Sequence, residues 1–284
     1  METLYKLSGA GNDFIVLDGR SGGVDEYRKE VTIKTLCDRN TGFKAADGRV
    51  GADGVMILSS SVDGAWDFVM EYFNSDGSSG MMCGNGGRCI VAFADFLGIV
   101  PANGKFYEFL AADGPHTGEI LARKGRSCTV KLKMKDVSEY RRCTDGWFLD
   151  TGTRHFVKFV DDVEAVDIAT EGPRYRWSEE FAPIGANVNF VQVLPDGSLK
   201  VRTFEKGVED ETLACGTGIT ASALAAQLEA WHKDAGTDTP ASSGTTAKSI
   251  HTAVHARIDE LAVDFTPSGS IFTDVFLTGP AALI

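Results

Sequence analysis

Apolar residues in this chain fall mostly into short runs bounded by glycine and polar turns, and few keep a helical spacing. Asp13-Phe14-Ile15-Val16-Leu17-Asp18 is such a run, closed by Gly19, and predicts a buried strand. Residues 54–58 and 66–73 predict two more, the second partly alternating, and residues 105–111, 118–123 and 129–134 continue the sheet. Residues 26–40 place Ile33, Leu36 and Cys37 on one face and predict a helix, followed by a polar insertion at 41–49. In the second half, residues 187–193, 199–204, 250–258, 261–265 and 271–277 read as strands, and the polar stretch 235–248 as a surface loop.

The two halves share one plan. Met82-Cys83-Gly84-Asn85-Gly86-Gly87 runs into Arg88-Cys89-Ile90-Val91-Ala92-Phe93, and Ala214-Cys215-Gly216-Thr217-Gly218 runs into Ile219-Thr220-Ala221-Ser222-Ala223. Each is a cysteine on a glycine turn followed at once by an apolar helical stretch. Phe73 ends a strand ten residues before Cys83, and Phe204 ends one eleven residues before Cys215. Gly152-Thr153-Arg154-His155-Phe156 parallels Gly11-Asn12-Asp13-Phe14 with one residue of slip. Strands alternating with a few helices, repeated at this length, predict an internal duplication of domain size.

Composition narrows the setting. A chain of 284 residues can bury one large core or two moderate ones. The net charge of −12 argues against nucleic acid or an anionic membrane as partner. The N-terminus has no signal-peptide pattern, and no run approaches the length of a membrane span. Six cysteines without a CxxC pair indicate neither a zinc site nor a disulfide scaffold, so the expectation is a cytoplasmic protein with reduced thiols.

A single buried cysteine is ordinarily a small hydrophobe. Two in matching turns at helix N-termini suggest more, because unpaired backbone N–H groups and the helix dipole favour the thiolate. Two thiols without a metal or cofactor suit two-base racemisation, one removing a proton from carbon and the other delivering one. Helix N-terminal amides could stabilise the substrate carboxylate. His155 and Glu205 could each share a proton with a thiol, although each also has an ordinary structural reading. Asn12, Asn74, Asn85, Asn187 and Asn189 lie at turns and strand ends, where amides fit either turn geometry or a zwitterionic ligand.

With those phrases assembled, the chain resembles the diaminopimelate epimerase family. The matching stretches are Gly9-Ala10-Gly11-Asn12-Asp13-Phe14, Gly51-Ala52-Asp53-Gly54, Phe73-Asn74-Ser75-Asp76-Gly77 and Cys83-Gly84-Asn85-Gly86-Gly87-Arg88-Cys89. Asn187-Val188-Asn189-Phe190-Val191, Glu205-Lys206-Gly207, Cys215-Gly216-Thr217-Gly218 and Gly279-Pro280-Ala281 follow in family order. The resemblance implies an α/β (α+β) fold of two pseudo-symmetric domains, each a mostly antiparallel curved sheet wrapped around a central helix. The implied domains are residues 1–127 with 274–284, carrying Cys83, and 128–273, carrying Cys215, with the active site in the cleft between them.

The implied reaction is cofactor-independent epimerisation of L,L-diaminopimelate to the meso form. Cys83 and Cys215 would be its acid/base pair, His155 partnering Cys83 and Glu205 partnering Cys215. The substrate would be held by Asn12, Asn74, Asn85 and Asn189 and by backbone amides at Gly84, Gly86, Gly216 and Thr217, with no metal. Two positions depart from the family pattern. Lys206 stands where the family has Arg, and Arg154 replaces a Pro; both bear on the distal end of the substrate. The sequence leaves a homodimer open.

The nearest rival is a two-cysteine racemase of another amino acid, such as histidine or glutamate. Proline-racemase-like enzymes would lack the Asn-Asp-Phe and Asn-Val-Asn-Phe phrases, and phenazine-biosynthesis isomerases would lack the cysteine pair. A silent amino-acid-binding protein would have no use for both thiols, and no lysine stands out for a pyridoxal enzyme.

Overall fold

A computed structural model of the chain describes residues 2–80, 82–235 and 248–284. The chain forms two compact units, one of Met1–Leu132 with Gly279–Ile284 and the other of Lys133–Thr278. Residues 236–247, most of the stretch read as a surface loop, lie outside the described residues.

The first unit contains β1 (Tyr5–Gly9), β2 (Asn12–Asp18), α1 (Glu30–Cys37), β3 (Gly54–Ser59), β4 (Phe68–Asn74) and α2 (Gly84–Phe96). It continues with β5 (Tyr107–Ala111), β6 (Gly114–Lys124) and β7 (Ser127–Lys133). Neighbouring strands pair in sequence order: β2–β3 and β4–β5 are parallel, the rest antiparallel. Residues 279–283 then pair with β7 on one side and with β1 on the other, closing the sheet into a ring. Inside it lies α2, buried from Gly84 to Ala94 and packed against β1, β2, β3 and β6.

β2 and β3 carry apolar cores without interruption because both of their faces are covered. In β2, Ile15 and Leu17 join Ile33 and Cys37 of α1 in one cluster. Phe14 and Val16, also buried, point to the opposite face by the two-residue period of a strand. A strand covered on both faces has no solvent side on which to place polar residues.

The second unit repeats this order with β8 (Tyr140–Cys143), β9 (Gly146–Asp150), β10 (Arg154–Phe159), α3 (Ile168–Arg176), β11 (Asn187–Val193) and β12 (Leu199–Glu205). It then has β13 (Asp210–Thr212), α4 (Gly216–Ala235), β14 (Ile250–His255), β15 (Glu260–Ser268) and the first part of β16 (Ile271–Leu283). From β9 onward the pairing runs antiparallel, parallel, antiparallel, parallel, antiparallel, antiparallel, the sequence of the first unit from β1. Phe156, Val188 and Phe190 face a cluster with Ile168 and Tyr175 of α3. The intervening His155, Asn187 and Asn189 therefore point the other way, towards the side covered by α4.

Several predicted boundaries change. Residues 26–40 are not one helix: a 3-10 turn at Asp25–Arg28 ends where Lys29 becomes extended, and α1 then runs only to Cys37. Asp38 stops it by turning its carboxylate onto the Asn40 and Thr41 amides. The strand predicted at 118–123 begins four residues earlier, in the hairpin from β5. The strand predicted at 271–277 continues to Leu283, since its second part supplies the ring-closing pairs of the first unit.

Because α2 fills the ring, truncating Phe93, which is fully buried, should be costly. Phe93→Ala is expected to lose about 3–5 kcal/mol in urea unfolding. Val31→Ala, on the exposed face of α1, should stay within about 0.5 kcal/mol of the parent. Equal midpoints for the two variants would contradict the central place of α2.

Candidate active site

In the first unit, Cys83 is the N-cap of α2. Its backbone is extended, its sulfur accepts the Gly86 amide (3.2 Å), and its carbonyl accepts the Gly87 amide (2.7 Å). The Gly86 amide, expected to face a carboxylate, is thus given to the thiol, an arrangement that favours the thiolate. A Cβ on Gly86 would sit 3.2 Å from the Cys83 sulfur, so glycine is what lets the sulfur approach.

Behind the thiol runs a chain of amides with a fixed polarity. Arg88, fully buried, donates to Asn85 Oδ1 (2.8 Å) and to the Gly84 carbonyl (3.2 Å). Asn85 Nδ2 donates to Asn12 Oδ1 (2.6 Å), and Asn12 Nδ2 donates to Asp53 (2.9 Å). A guanidinium can only donate and a carboxylate can only accept, so the two ends orient both amides between them. Asp53 is itself held by the Asp13 amide (3.1 Å) and by Arg39. Asp13 pairs with buried Lys6 (2.7 Å) and with Arg39 (2.8 Å). Asn74 stands apart from this chain, its amide donating to Ser78 Oγ (3.0 Å) in the following turn.

The second unit solves the same geometry with different groups. Cys215 directly precedes α4 and its carbonyl accepts the Ile219 amide (2.8 Å). Its sulfur lies 3.4 Å from Thr217 Oγ1, which is 2.9 Å from His155 Nε2. Thr153 Oγ1 completes a triangle, 2.9 Å from His155 Nε2 and 3.1 Å from Thr217 Oγ1. Asn189 lies behind: Nδ2 donates to the Phe156 carbonyl (3.2 Å) and to His155 Nδ1 (3.0 Å), while Oδ1 accepts from Thr203 (3.0 Å). Both of its N–H groups are engaged within the fold, so Asn189 orients the imidazole. Gly218 permits the close approach, since a Cβ there would fall 2.3 Å from Asn189 Oδ1.

Glu205 ends β12 as Asn74 ends β4, the strand before the cysteine in each unit. Asn187 joins the two departures from the family pattern, donating to the Arg154 carbonyl (3.0 Å) and accepting the Lys206 amide (2.8 Å). The Arg154 guanidinium lies over the Phe148 ring, 5.2 Å from its centroid, while Lys206 is exposed.

The remaining thiols have a different environment. Burial pushes Cys37 up to about 11 and Cys89 and Cys143 up to about 12, and raises Cys128 as well. Among the described residues, no three His, Cys, Asp or Glu side chains group as a metal site, and no helix is long and apolar enough to cross a membrane.

Sequence reasoning gave no part to Arg88, Asp53, Thr153 or Thr203. Arg88 carried a readable signal as the single cation in an otherwise apolar helix start, because a buried charge needs a reason to be there. The threonines carried none, since a hydroxyl reveals its partners only once the strands are in register.

A family model described as diaminopimelate epimerase matches residues 4–120 and 147–265. The diaminopimelate epimerase of Flavobacterium psychrophilum is 38% identical over 283 residues, covering 99% of this chain and 97% of its own. That of Chlorobaculum tepidum is 43% identical over 226 residues, covering 77% and 80%. Among solved structures, a phenazine biosynthesis protein from Bacillus anthracis aligns with a TM-score of 0.66 at 11% identity, over 99% of this chain and 96% of its own; that likeness speaks for the fold alone.

His155 yields a prediction with a definite sign. Burial lowers its pKa from the usual 6.5 to about 3, so the folded chain binds fewer protons than the unfolded chain between those values. Its contribution to stability is complete above the unfolded pKa and is lost as pH falls from there towards 3. The slope approaches about 1.4 kcal/mol per pH unit. Urea unfolding at stepped pH should show this acid loss in the parent and a flatter profile in His155→Gln. Identical slopes would mean that the imidazole is not held neutral.

Proposed function

The chain belongs to the diaminopimelate epimerase family, and we propose that it converts L,L-diaminopimelate to the meso form without a cofactor, using the thiols of Cys83 and Cys215. The observation that carries this reading is the repeated one: in each unit a cysteine directly precedes the first residue of a central helix. The Gly86 amide on the Cys83 sulfur shows how such a position receives a donor.

Inversion at carbon needs a proton to leave one face and another to arrive at the opposite face. One sulfur enters as thiolate, takes the α-proton and becomes a thiol; the other gives its proton and becomes a thiolate. The electron pair released from the C–H bond is held on the α-carbon and its carboxylate until the second proton arrives. Backbone amides at Gly84, Gly216 and Thr217, in the first turns of the helices, are suited to stabilising that charge. Glu205 is assigned to the proton balance of Cys215. His155, neutral and with Nδ1 occupied by Asn189, acts as a hydrogen-bond donor rather than a base.

Asn12, Asn74 and Asn85 are assigned to the substrate's polar groups, and Lys206 to its distal carboxylate. The partner is then a small zwitterionic amino acid, in keeping with a net charge of −12 that disfavours nucleic acid. We place the enzyme in the cytoplasm, where thiols stay reduced.

Incubation with L,L-diaminopimelate in deuterated water, followed by NMR, should show loss of the α-proton signal and appearance of the meso form. Cys83→Ala and Cys215→Ala should each abolish epimerisation, while Cys128→Ala should leave it intact. Faster exchange into histidine or glutamate would move the assignment to another amino-acid racemase, and epimerisation surviving Cys83→Ala would end the two-base scheme.

A second expectation concerns the distal end. Lys206→Ala should raise KM for diaminopimelate about ten- to a hundredfold, the worth of a charge-assisted hydrogen bond of roughly 1.5–3 kcal/mol. Should Arg154→Ala raise KM while Lys206→Ala does not, the guanidinium is the distal ligand.

A further inference from the structure

We infer that the Thr217 side chain is a positioning residue for Cys215, its hydroxyl donating to the sulfur when the thiol is ionised and accepting from it when the thiol is protonated. The inference rests on the proposed reaction only in requiring that Cys215 pass through both states. It follows from counting protons along the side-chain chain behind the sulfur.

The corner of the Asn189 amide that meets the Phe156 carbonyl must be the NH2, because a carbonyl can only accept. The same nitrogen is 3.0 Å from His155 Nδ1, so Nδ1 is the acceptor and carries no proton. A neutral imidazole then has its proton on Nε2, directed at the oxygens of Thr217 and Thr153, each 2.9 Å away. Complete burial of the ring and its lowered pKa hold it in that form.

Thr217 Oγ1 thus has a permanent donor behind it and two neighbours for its own proton, Thr153 Oγ1 at 3.1 Å and Cys215 Sγ at 3.4 Å. When Cys215 is a thiolate, Thr153 donates to Thr217 and Thr217 donates to sulfur. When Cys215 holds its proton, the S–H points at Thr217 Oγ1, and Thr217 turns its O–H to Thr153. No proton leaves or enters the hydroxyl pair; both rotors reverse as the sulfur gains or loses one. The donor to an ionised sulfur is the stronger of the two bonds, so the arrangement lowers the pKa of Cys215 while still accommodating the thiol. The main chain of Thr217 is held independently, its carbonyl accepting from Thr151 Oγ1 (3.0 Å). The titratable and charged groups that these elements bring to the same end are Asp150 at the end of β9, Arg154 and His155 at the start of β10, and Glu205 at the end of β12 with Lys206 next to it. All of them are kept in the variants below.

The test reads the sulfur itself, without substrate. Iodoacetamide is applied to the full chain over a series of pH values, and alkylation of the Cys215 peptide is followed by mass spectrometry. Thr217→Val, which keeps the shape and removes the hydroxyl, should raise the apparent pKa by about one unit, slowing alkylation roughly tenfold on the acidic limb. Thr217→Ser should restore the parent profile, and Thr153→Val should shift it the same way by less. A Thr217→Val profile that superimposes on the parent, or a Ser variant shifted as far as Val, overturns the inference. If Thr217→Val does not fold, Thr153→Val decides: a raised profile supports the hydroxyl pair and an unchanged one rejects it. The epimerisation assay is read separately, so a shifted thiol in a chain that does not epimerise diaminopimelate would reject the proposed reaction and leave the role of Thr217 standing.

Discussion

A helix buried inside its own sheet leaves the amides of its first turn in need of partners, from the protein or from a bound ligand. An unsatisfied buried N–H costs about 1–3 kcal/mol. In the first unit the cap is a sulfur, and the helix is buried from its first residue. Glycines at the start of the helix narrow it enough for its neighbours to close in: a Cβ on Gly87 would strike Leu132, and one on Gly9, across from the helix, would lie 2.9 Å from the Cys89 sulfur. The ring of strands, the small residues and the cysteine cap are one solution to the problem of burying a helix end.

That solution also makes a reactive group. A sulfur used as an N-cap receives the same donors that stabilise its ionised form, whereas Cys89, six residues further into the same helix, has its thiol pushed up to about 12 by burial. Two cysteines in one helix thus receive opposite treatment from one fold. Position relative to the helix end separates them, and the supporting polar chains keep that position fixed. The chain in the first unit ends on Asp53, whose partners Arg39 and Asp13 tie it to the rim of β2.

Much of this was readable in advance, for particular reasons. β2 and β3 are apolar because they are covered on both faces, so a short apolar run was enough to find them, and β11 and β12 showed through alternating apolar positions. The cysteine helices announced themselves through the repeated glycine turn. β1, β8, β9 and α3 were not recognised: β8 is the four-residue segment Tyr-Arg-Arg-Cys, two of its residues exposed, and α3 carries Pro173 within a charged helix. The helix read at residues 26–40 failed because Lys29 and Asp38 carry no strong breaking signal, although their backbones are extended at both ends of α1. In the candidate site the cysteines and His155 could be named from sequence. The place of Asn189 behind the imidazole depends on the parallel register of Val157 with Asn189, which nothing local in the chain encodes.

The duplication preserves the frame and changes the chemistry laid on it. At the second residue of the central helix, Asn85 in one unit reaches Asn12 at the start of β2; Thr217 in the other reaches His155 near the start of β10. At the end of the preceding strand stand Asn74 in one and Glu205 in the other. On the proposed reaction this inequality matters. Two thiols in equal surroundings would have equal affinity for a shared proton, and the half of the molecules holding it on the wrong sulfur could not accept a given stereoisomer. Unequal partners bias the resting proton towards one sulfur, and each unit of pKa difference is worth about 1.4 kcal/mol. The bias must remain small, because an epimerase returns the proton to the other sulfur with every turnover, and a large preference would speed one direction only by slowing recovery from it. The amide around one thiol and the hydroxyl with an uncharged imidazole around the other contribute to that bias without a full charge, which leaves Glu205 as the charged group assigned to Cys215.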